Sequence, residues 1–313
     1  VAGAPEFTIV GSGALGLLFA GLLGEAGAEV ALLDRDPERA RRLSSKGISL
    51  SGTGEKTERR ISVSALDSLP ESGVVLVAVK AHDDATVVER LRGLKSCVTV
   101  VTLGNGLGRA EALEPLGADR VLLAATAEGA TLEGEGRVRH AGRGPTRVAP
   151  LVPGGSKRAE KLVKRLAALG FDAHLAPDAR ALAWEKVVVN AAINALTGLL
   201  DVRNGALLES EAASTLADGA ATEAGAVARH LGIPGDFSEE RCRERWRMVA
   251  KATSENISST LQDLRNGRKS EVHGINGAIA RQARQAGLAA PVNELLAALI
   301  LSREELSLAR LGV

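Results

Sequence analysis

The chain has 313 residues, enough for two domains, with 45% hydrophobic and 25% charged residues, an ordinary globular composition. Thirty-nine basic against 38 acidic residues leave a net charge of +1, and aromatics are 2% with no Tyr, so no nucleic-acid-binding face is expected. The two cysteines, Cys97 and Cys242, form no CxxC pair and the five histidines show no HxxxH spacing, so neither a disulfide framework nor a metal site is expected, and a reducing cytoplasm fits.

The opening Val1–Pro5 carries no basic-then-apolar pattern, so no signal peptide is expected. Phe7–Val10 reads as a short strand, followed by a glycine loop and a small-residue helix to about Ala26. Glu29–Leu33 reads as the next strand, with a helix from Pro37, a residue suited to a first helical turn. Val74–Val79, Val98–Leu103 and Val121–Ala125 are continuous apolar runs, the pattern of a parallel sheet covered on both faces. The Gly-rich stretch Glu133–Gly144 reads as a loop or hairpin. Beyond Pro177 strand signals stop, and Arg180–Leu199, Glu211–Leu231, Ser238–Leu264 and Glu271–Ala286 have helical spacing. Apolar runs such as Leu295–Leu301 are too short to span a bilayer, and no membrane association is expected. The expected architecture is an α/β Rossmann domain, doubly wound around a mostly parallel sheet, over residues 1–177, and an all-α domain over 178–313.

Gly11-Ser12-Gly13-Ala14-Leu15-Gly16 matches GxGxxG. In a chain with 35 glycines chance supplies about 0.4 such matches, so the motif needs its context. That context is present: a strand before, a helix after, and Asp34 at the end of the next strand. Such a loop turns on its first glycine, lets a pyrophosphate approach the second, and packs helix on strand at the third. Helix N–H groups and the helix dipole then favour the phosphates. Asp34-Arg35 leaves two cofactors open: a carboxylate there suits the ribose 2′-hydroxyl of NAD(H), an Arg the 2′-phosphate of NADP(H).

In Trp184–Asn194, Lys186, Asn190 and Asn194 stand at i, i+4 and i+8, so they share one helical face within roughly 80°. Their neighbours are Val, Ala and Ile. Asn resists burial unless its amide is hydrogen-bonded, so the stripe reads as a binding wall. Asn256 and Ser259, at i and i+3, repeat the theme, with Glu271 shortly after.

The chain resembles the ketopantoate reductase (2-dehydropantoate 2-reductase) family across nearly its whole length. The matching segments are Gly11–Gly16, Val77–Lys80, Asn105–Gly108, Trp184–Asn194, Asn204-Gly205, Asn256–Arg265, Glu271 and Ile275–Gly277. The resemblance implies NADPH-dependent reduction of 2-dehydropantoate to (R)-pantoate, a step of pantothenate and coenzyme A biosynthesis. It implies Lys186 as general acid, with Glu271 facing the reacting centre and the cofactor. Asn190, Asn194 and Asn204 would position the 2-oxo acid, and Asn256 with Ser259 would hold its carboxylate and hydroxyl. The cofactor would meet residues Gly11, Ser12, Gly13, Ala14, Leu15 and Gly16, together with Arg35, Lys80, Asn105 and Ala130; Asn105 would reach the substrate as well. A homodimer is expected by analogy alone.

The chain departs from the family pattern at Gly104, where Gln often precedes Asn-Gly, and at Glu128, where Thr-His-Gly-Ala is common and Ala127-Glu128-Gly129-Ala130 stands. These departures and Asp34 leave substrate and cofactor preference open. Two other readings stand beside the first: a reductase of another branched 2-oxo acid, and a nucleotide-binding sensor without turnover, which would have no need of a proton donor at Lys186.

Overall fold

The computed structural model describes residues 5–52 and 59–310, with the backbone alone for 307–310. Residues 1–4, part of the opening read above for a leader, lie outside the described residues. The chain divides into two compact units, one of residues 1–104 and 108–182, the other of residues 105–107 and 183–313.

In the first unit the strands are β1 (Phe7–Val10), β2 (Val30–Leu33), β3 (Ile48–Gly52), β4 (Arg59–Ile61), β5 (Ser64–Ala65) and β6 (Val74–Val77). They continue with β7 (Thr99–Thr102), β8 (Val121–Thr126), β9 (Gly129–Gly134), β10 (Arg137–Gly142), β11 (Thr146–Pro150) and β12 (Ala173–Leu175). Eight of them form the main sheet in the order β12-β11-β8-β7-β6-β1-β2-β5. From β5 to β8 all neighbours are parallel, with Phe7 opposite Val30 on one side and Val74 on the other. The chain leaves β1 towards β2 and later returns to build β6 on the other flank. The switch of direction therefore falls at β1, and the crevice beyond the carboxyl ends of β1 and β6 is where a doubly wound sheet receives ligands.

Helix α1 (Ala14–Glu25) follows β1, α2 (Pro37–Lys46) follows β2, α3 (Asp84–Leu91) follows β6 and α4 (Ser156–Ala168) follows β11. Leu17, Leu18, Phe19 and Leu23 make α1 apolar around most of its circumference, which requires cover on opposite sides. The main sheet lies on one side. On the other lies a second sheet, ordered β4-β3-β10-β9, which packs against α1 where the sequence reading expects helices alone. The stretch Glu133–Gly144 holds the end of β9, the turn at Gly136 with φ +72°, and β10, so it belongs to the β9–β10 hairpin of this sheet. The main sheet also carries an antiparallel neighbour, since Thr146 to Pro150 pair with Thr126 to Leu122. Residues 127–145, between β8 and β11, hold strands β9 and β10 of the second sheet, and the chain then returns antiparallel to β8 without the crossover helix that another parallel strand would need.

The second unit is helical. Its members are α5 (Ala179–Leu200), whose first four residues group with the α/β unit, then α6 (Ala206–Glu209), α7 (Glu211–His230) and α8 (Glu239–Ala252). They are followed by α9 (Ser259–Arg265), α10 (Asn276–Gln285) and α11 (Pro291–Arg310). The single helix expected over Ser238–Leu264 is two. Ser258 accepts the N–H of Leu261 at 3.2 Å and so starts α9, and the Asn256 N–H folds back on the Thr253 carbonyl at 2.9 Å. Likewise Glu271 precedes α10, separated from it by a 3₁₀ turn at Val272–Gly274.

Helix α5 is held by apolar burial of Val187, Val188, Ala191, Ala192, Ile193 and Leu196. A buried amide network fixes it further. The Asn276 amide donates to the Ala191 carbonyl and to Asn293 Oδ1, both at 3.0 Å, and Asn293 donates to the Ala220 carbonyl and Glu223. Buried amides satisfied in this way cost little and specify one packing.

Candidate functional site

A pocket of about 200 Å³ opens at the carboxyl ends of β1 and β6. Gly11, Ser12 and Gly13 form one wall, and Ala78, Val79 and Lys80 another. The glycines are required by space. Gly11 has φ +98°, and a Cβ there would lie 2.8 Å from Val79 Cγ1; a Cβ at Gly16 would overlap the Gly11 carbonyl. At Gly13 a Cβ would meet nothing within 4 Å, so what the missing side chain leaves clear is the space in front of the helix. Gly13 is also the N-cap of α1, and no side chain caps its first turn. Free helix N–H groups facing an open, glycine-cleared space fit a phosphate group.

The far side of the pocket is cationic, with Arg35, Arg39 and Arg90 in its lining. The Arg35 side chain is 81% exposed and makes one long contact, 3.4 Å to Asp83. Asp34 is buried and turned inward. Its Oδ2 accepts the Ser12 N–H at 3.2 Å and the Ser12 hydroxyl, and its Oδ1 accepts the Asp36 N–H at 3.0 Å. Burial works against its charge, but the Ser12 hydroxyl, the Asp36 N–H and nearby Arg39 outweigh it and hold the carboxyl below its ordinary range. Asp34 therefore braces the glycine loop, and Arg39 adds to this by donating to the Ser12 carbonyl at 2.7 Å.

In the helical unit Lys186, Asn190 and Asn194 share a face of α5, as their spacing predicts. Desolvation pushes the Lys186 ammonium down to about 8, while the Glu271 carboxylate pulls in the opposite direction. Glu271 is itself fixed: its Oε2 accepts from the Asn105 amide at 2.9 Å. Asn105 arrives on the short segment 105–107, which groups with this unit, and the Leu107 N–H donates to the Gly274 carbonyl at 2.9 Å. Gly106 makes the approach feasible, since a Cβ there would stand 2.7 Å from that carbonyl oxygen.

Further along α5 the Asn194 amide reaches Ser259 Oγ at 3.5 Å, the outer limit of a hydrogen bond. Asn204 is buried; its N–H donates to the Asn256 carbonyl at 3.0 Å and its amide to Thr253 Oγ1 at 2.9 Å. Its Oδ1 is buried with no partner among the described residues.

The structure thus gathers Gly11, Ser12, Gly13, Arg35 and Lys80 around one pocket, with Ala14, Leu15 and Gly16 at the start of the helix behind it. It joins Asn105 to Glu271 and Asn204 to Asn256, and brings Asn194 to the edge of reach of Ser259. Ala130 lies on β9 opposite His140 and is not in the pocket wall. The sequence reading misses Arg39 and Arg90, which sit on helices among other charged residues. It also misses Val79, whose only signal is the end of an apolar run. Among the described residues no three His, Cys, Asp or Glu side chains gather as metal ligands, and no helix is long and apolar enough to cross a membrane.

A Rossmann unit with a glycine-cleared pocket at its switch point, joined in one chain to a helical unit bearing a desolvated lysine, has the architecture of a dinucleotide-dependent oxidoreductase. The comparisons with known proteins agree. Residues 7–153 match the family described as Ketopantoate reductase PanE/ApbA, and residues 178–304 match its C-terminal domain. The chain belongs to the ketopantoate reductase family. It is 34% identical to 2-dehydropantoate 2-reductase of Halobacterium salinarum, over 93% of this chain and 96% of that one. Among solved structures it is similar to a PanE/ApbA family ketopantoate reductase from Ralstonia eutropha, with a TM-score of 0.82, 28% identity, and 96% and 99% of the two chains covered. It is also similar to D-mandelate dehydrogenase in complex with NADH, with a TM-score of 0.86, 25% identity, and 96% and 98% covered.

Proposed function

We propose that the protein reduces 2-dehydropantoate to (R)-pantoate with NADPH: NADPH + H⁺ + 2-dehydropantoate gives NADP⁺ + (R)-pantoate. The observation that carries the reading is Lys186, brought down to about 8 beside a Glu271 that Asn105 holds in place. An ordinary lysine is a poor proton donor near neutrality; one with its proton held this loosely donates readily and still stabilises growing negative charge. When bound, the reduced nicotinamide supplies the hydride to the ketone carbon. Lys186 faces the charge that develops on the carbonyl oxygen and gives it a proton. Glu271 keeps the ammonium charged until then. Asn190 and Asn194 line the same face and, with Asn204, orient the substrate, and Asn256 and Ser259 hold its polar end.

Gly11–Gly16 would hold the pyrophosphate, with Lys80 at the pocket's second wall. NADPH is favoured over NADH because Asp34 is engaged by Ser12 and Asp36, whereas Arg35, Arg39 and Arg90 offer positive charge at the pocket's outer side. Initial rates of NADPH oxidation, followed by absorbance with 2-dehydropantoate as substrate, test the assignment; no turnover at saturating substrate overturns it. The similarity to D-mandelate dehydrogenase with NADH favours one second reading, a reductase of another 2-oxo acid. A preference for 2-oxoisovalerate or phenylglyoxylate over 2-dehydropantoate in kcat/KM would select it.

A further inference from the structure

Gly104, just before the Asn105 segment, is crowded from behind. A Cβ at this position would lie 2.6 Å from Arg109 Cζ and overlap the guanidinium nitrogens. The Arg109 side chain is 2% exposed, so a permanent cation sits inside the α/β unit. Its Nη1 donates to Asp84 Oδ2 at 2.5 Å and its Nη2 to the Val79 carbonyl at 2.7 Å, while its Nε has no partner among the described residues. The two partners are not neutral scaffolding. Val79 is pocket wall, next to Lys80 and against Gly11, and Asp84 opens α3, the helix whose Thr86, Val87 and Arg90 line the same pocket.

A buried guanidinium is expensive to install and is retained where it specifies an arrangement; replacing such a pair with apolar groups often leaves stability unchanged or raises it. Arg109 gains only two polar partners for its burial. Both belong to the segment that shapes the pocket, and the segment 78–84 has no other side-chain donor reaching the Val79 carbonyl from within the unit's core among the described hydrogen bonds.

We propose that Arg109 is a positioning residue for nicotinamide dinucleotide binding: through the Val79 carbonyl and Asp84 its guanidinium sets the pocket wall at Val79–Lys80, and Gly104 is the space it requires. This rests on the reading that the Gly11–Gly13 pocket takes the dinucleotide. It makes the departure at Gly104 one half of a two-residue arrangement, in which a side chain is given up at one position so that another can be buried beside it.

The test is a fluorescence titration with NADPH, begun on the unaltered protein; absence of binding there refutes the pocket reading and this inference together. Arg109→Met is expected to raise the NADPH Kd about tenfold or more, the scale of lost charge-assisted hydrogen bonds, with the KM for 2-dehydropantoate and kcat at saturating NADPH kept within about twofold. Arg109→Lys should recover part of the affinity, since an ammonium can still serve one of the two acceptors. Gly104→Ala, which keeps every polar partner and only displaces the guanidinium, should weaken NADPH in the same way. Unchanged NADPH affinity in either folded variant, with a lowered melting temperature as the only effect, overturns the proposal while leaving the pocket reading intact. Failure of both variants to fold means a purely structural role and overturns it too.

Discussion

At the glycine loop of the α/β unit the pocket wall is backbone, whereas in the helical unit the polar wall is side chain. At Gly11–Gly13 what matters is which atoms are absent: no Cβ in front of α1, no cap on its first N–H groups. In the middle of α5 the backbone is taken up by the helix's own hydrogen bonds, and Lys186, Asn190 and Asn194 supply the polar groups. The first region is therefore damaged by adding atoms and the second by removing them. The two also differ in how they treat charge. At the pocket's rim the Arg35 charge is solvated, with its side chain 81% exposed, while the Lys186 charge is weakened by desolvation.

Removal has the largest expected effect. Lys186→Ala should lower kcat by about 10²–10⁴ and leave NADPH affinity nearly unchanged; stopped-flow turnover and a binding titration separate the two, and undiminished turnover would break the contrast. Addition comes next. Gly13→Ala meets no neighbour in the protein and has an ordinary φ of −77°, so the melting temperature without ligand should hold. The added methyl stands where a pyrophosphate would approach, and NADPH Kd should rise by about 10–100-fold, the scale of steric overpacking. Arg35→Ala should then reduce the preference for NADPH over NADH by about tenfold, one charge-assisted contact's worth, measured as the ratio of the two Kd values.

The smallest effect is a displacement along the pH axis. Lys186 must carry its proton to donate it, so kcat should fall as pH rises through about 8. Glu271→Gln removes the charge that favours the ammonium, which moves this limb to lower pH; a limb that stays in place, or moves upward, would show that Glu271 does not act on Lys186.

Much of this contrast was legible in the sequence, for physical reasons that differ by region. Val74–Val77, Thr99–Thr102 and Val121–Thr126 are buried on both faces, and that leaves continuous apolar runs. The stripe on α5 stands out because polar residues interrupt an otherwise apolar helix at a helical period. The second sheet was hidden: β10 reads Arg137-Val138-Arg139-His140, and its inward Val138 and His140 alternate with arginines as a surface hairpin's would. Arg109 was invisible for a related reason. Arg is a surface residue by default, and only the missing Cβ at Gly104 and the carboxylate of Asp84, 25 residues away in the chain, make it a buried one. Asp34 was read correctly as an acid at the end of β2, but its partners Ser12 and Asp36 belong to loop geometry that composition does not encode.

The segment Asn105–Leu107 has a consequence in the time order of synthesis. Asn105 leaves the ribosome 166 residues before Glu271, the carboxylate it fixes, an interval on the order of ten seconds at typical elongation rates. Over that interval the rest of the α/β unit and helices α5 to α9 are made, while Leu107 waits for the Gly274 carbonyl. A nascent chain thus comes into possession of the Gly11–Gly13 pocket walls early and of a fixed Glu271 late, so in the life of each molecule the glycine loop precedes the held carboxylate.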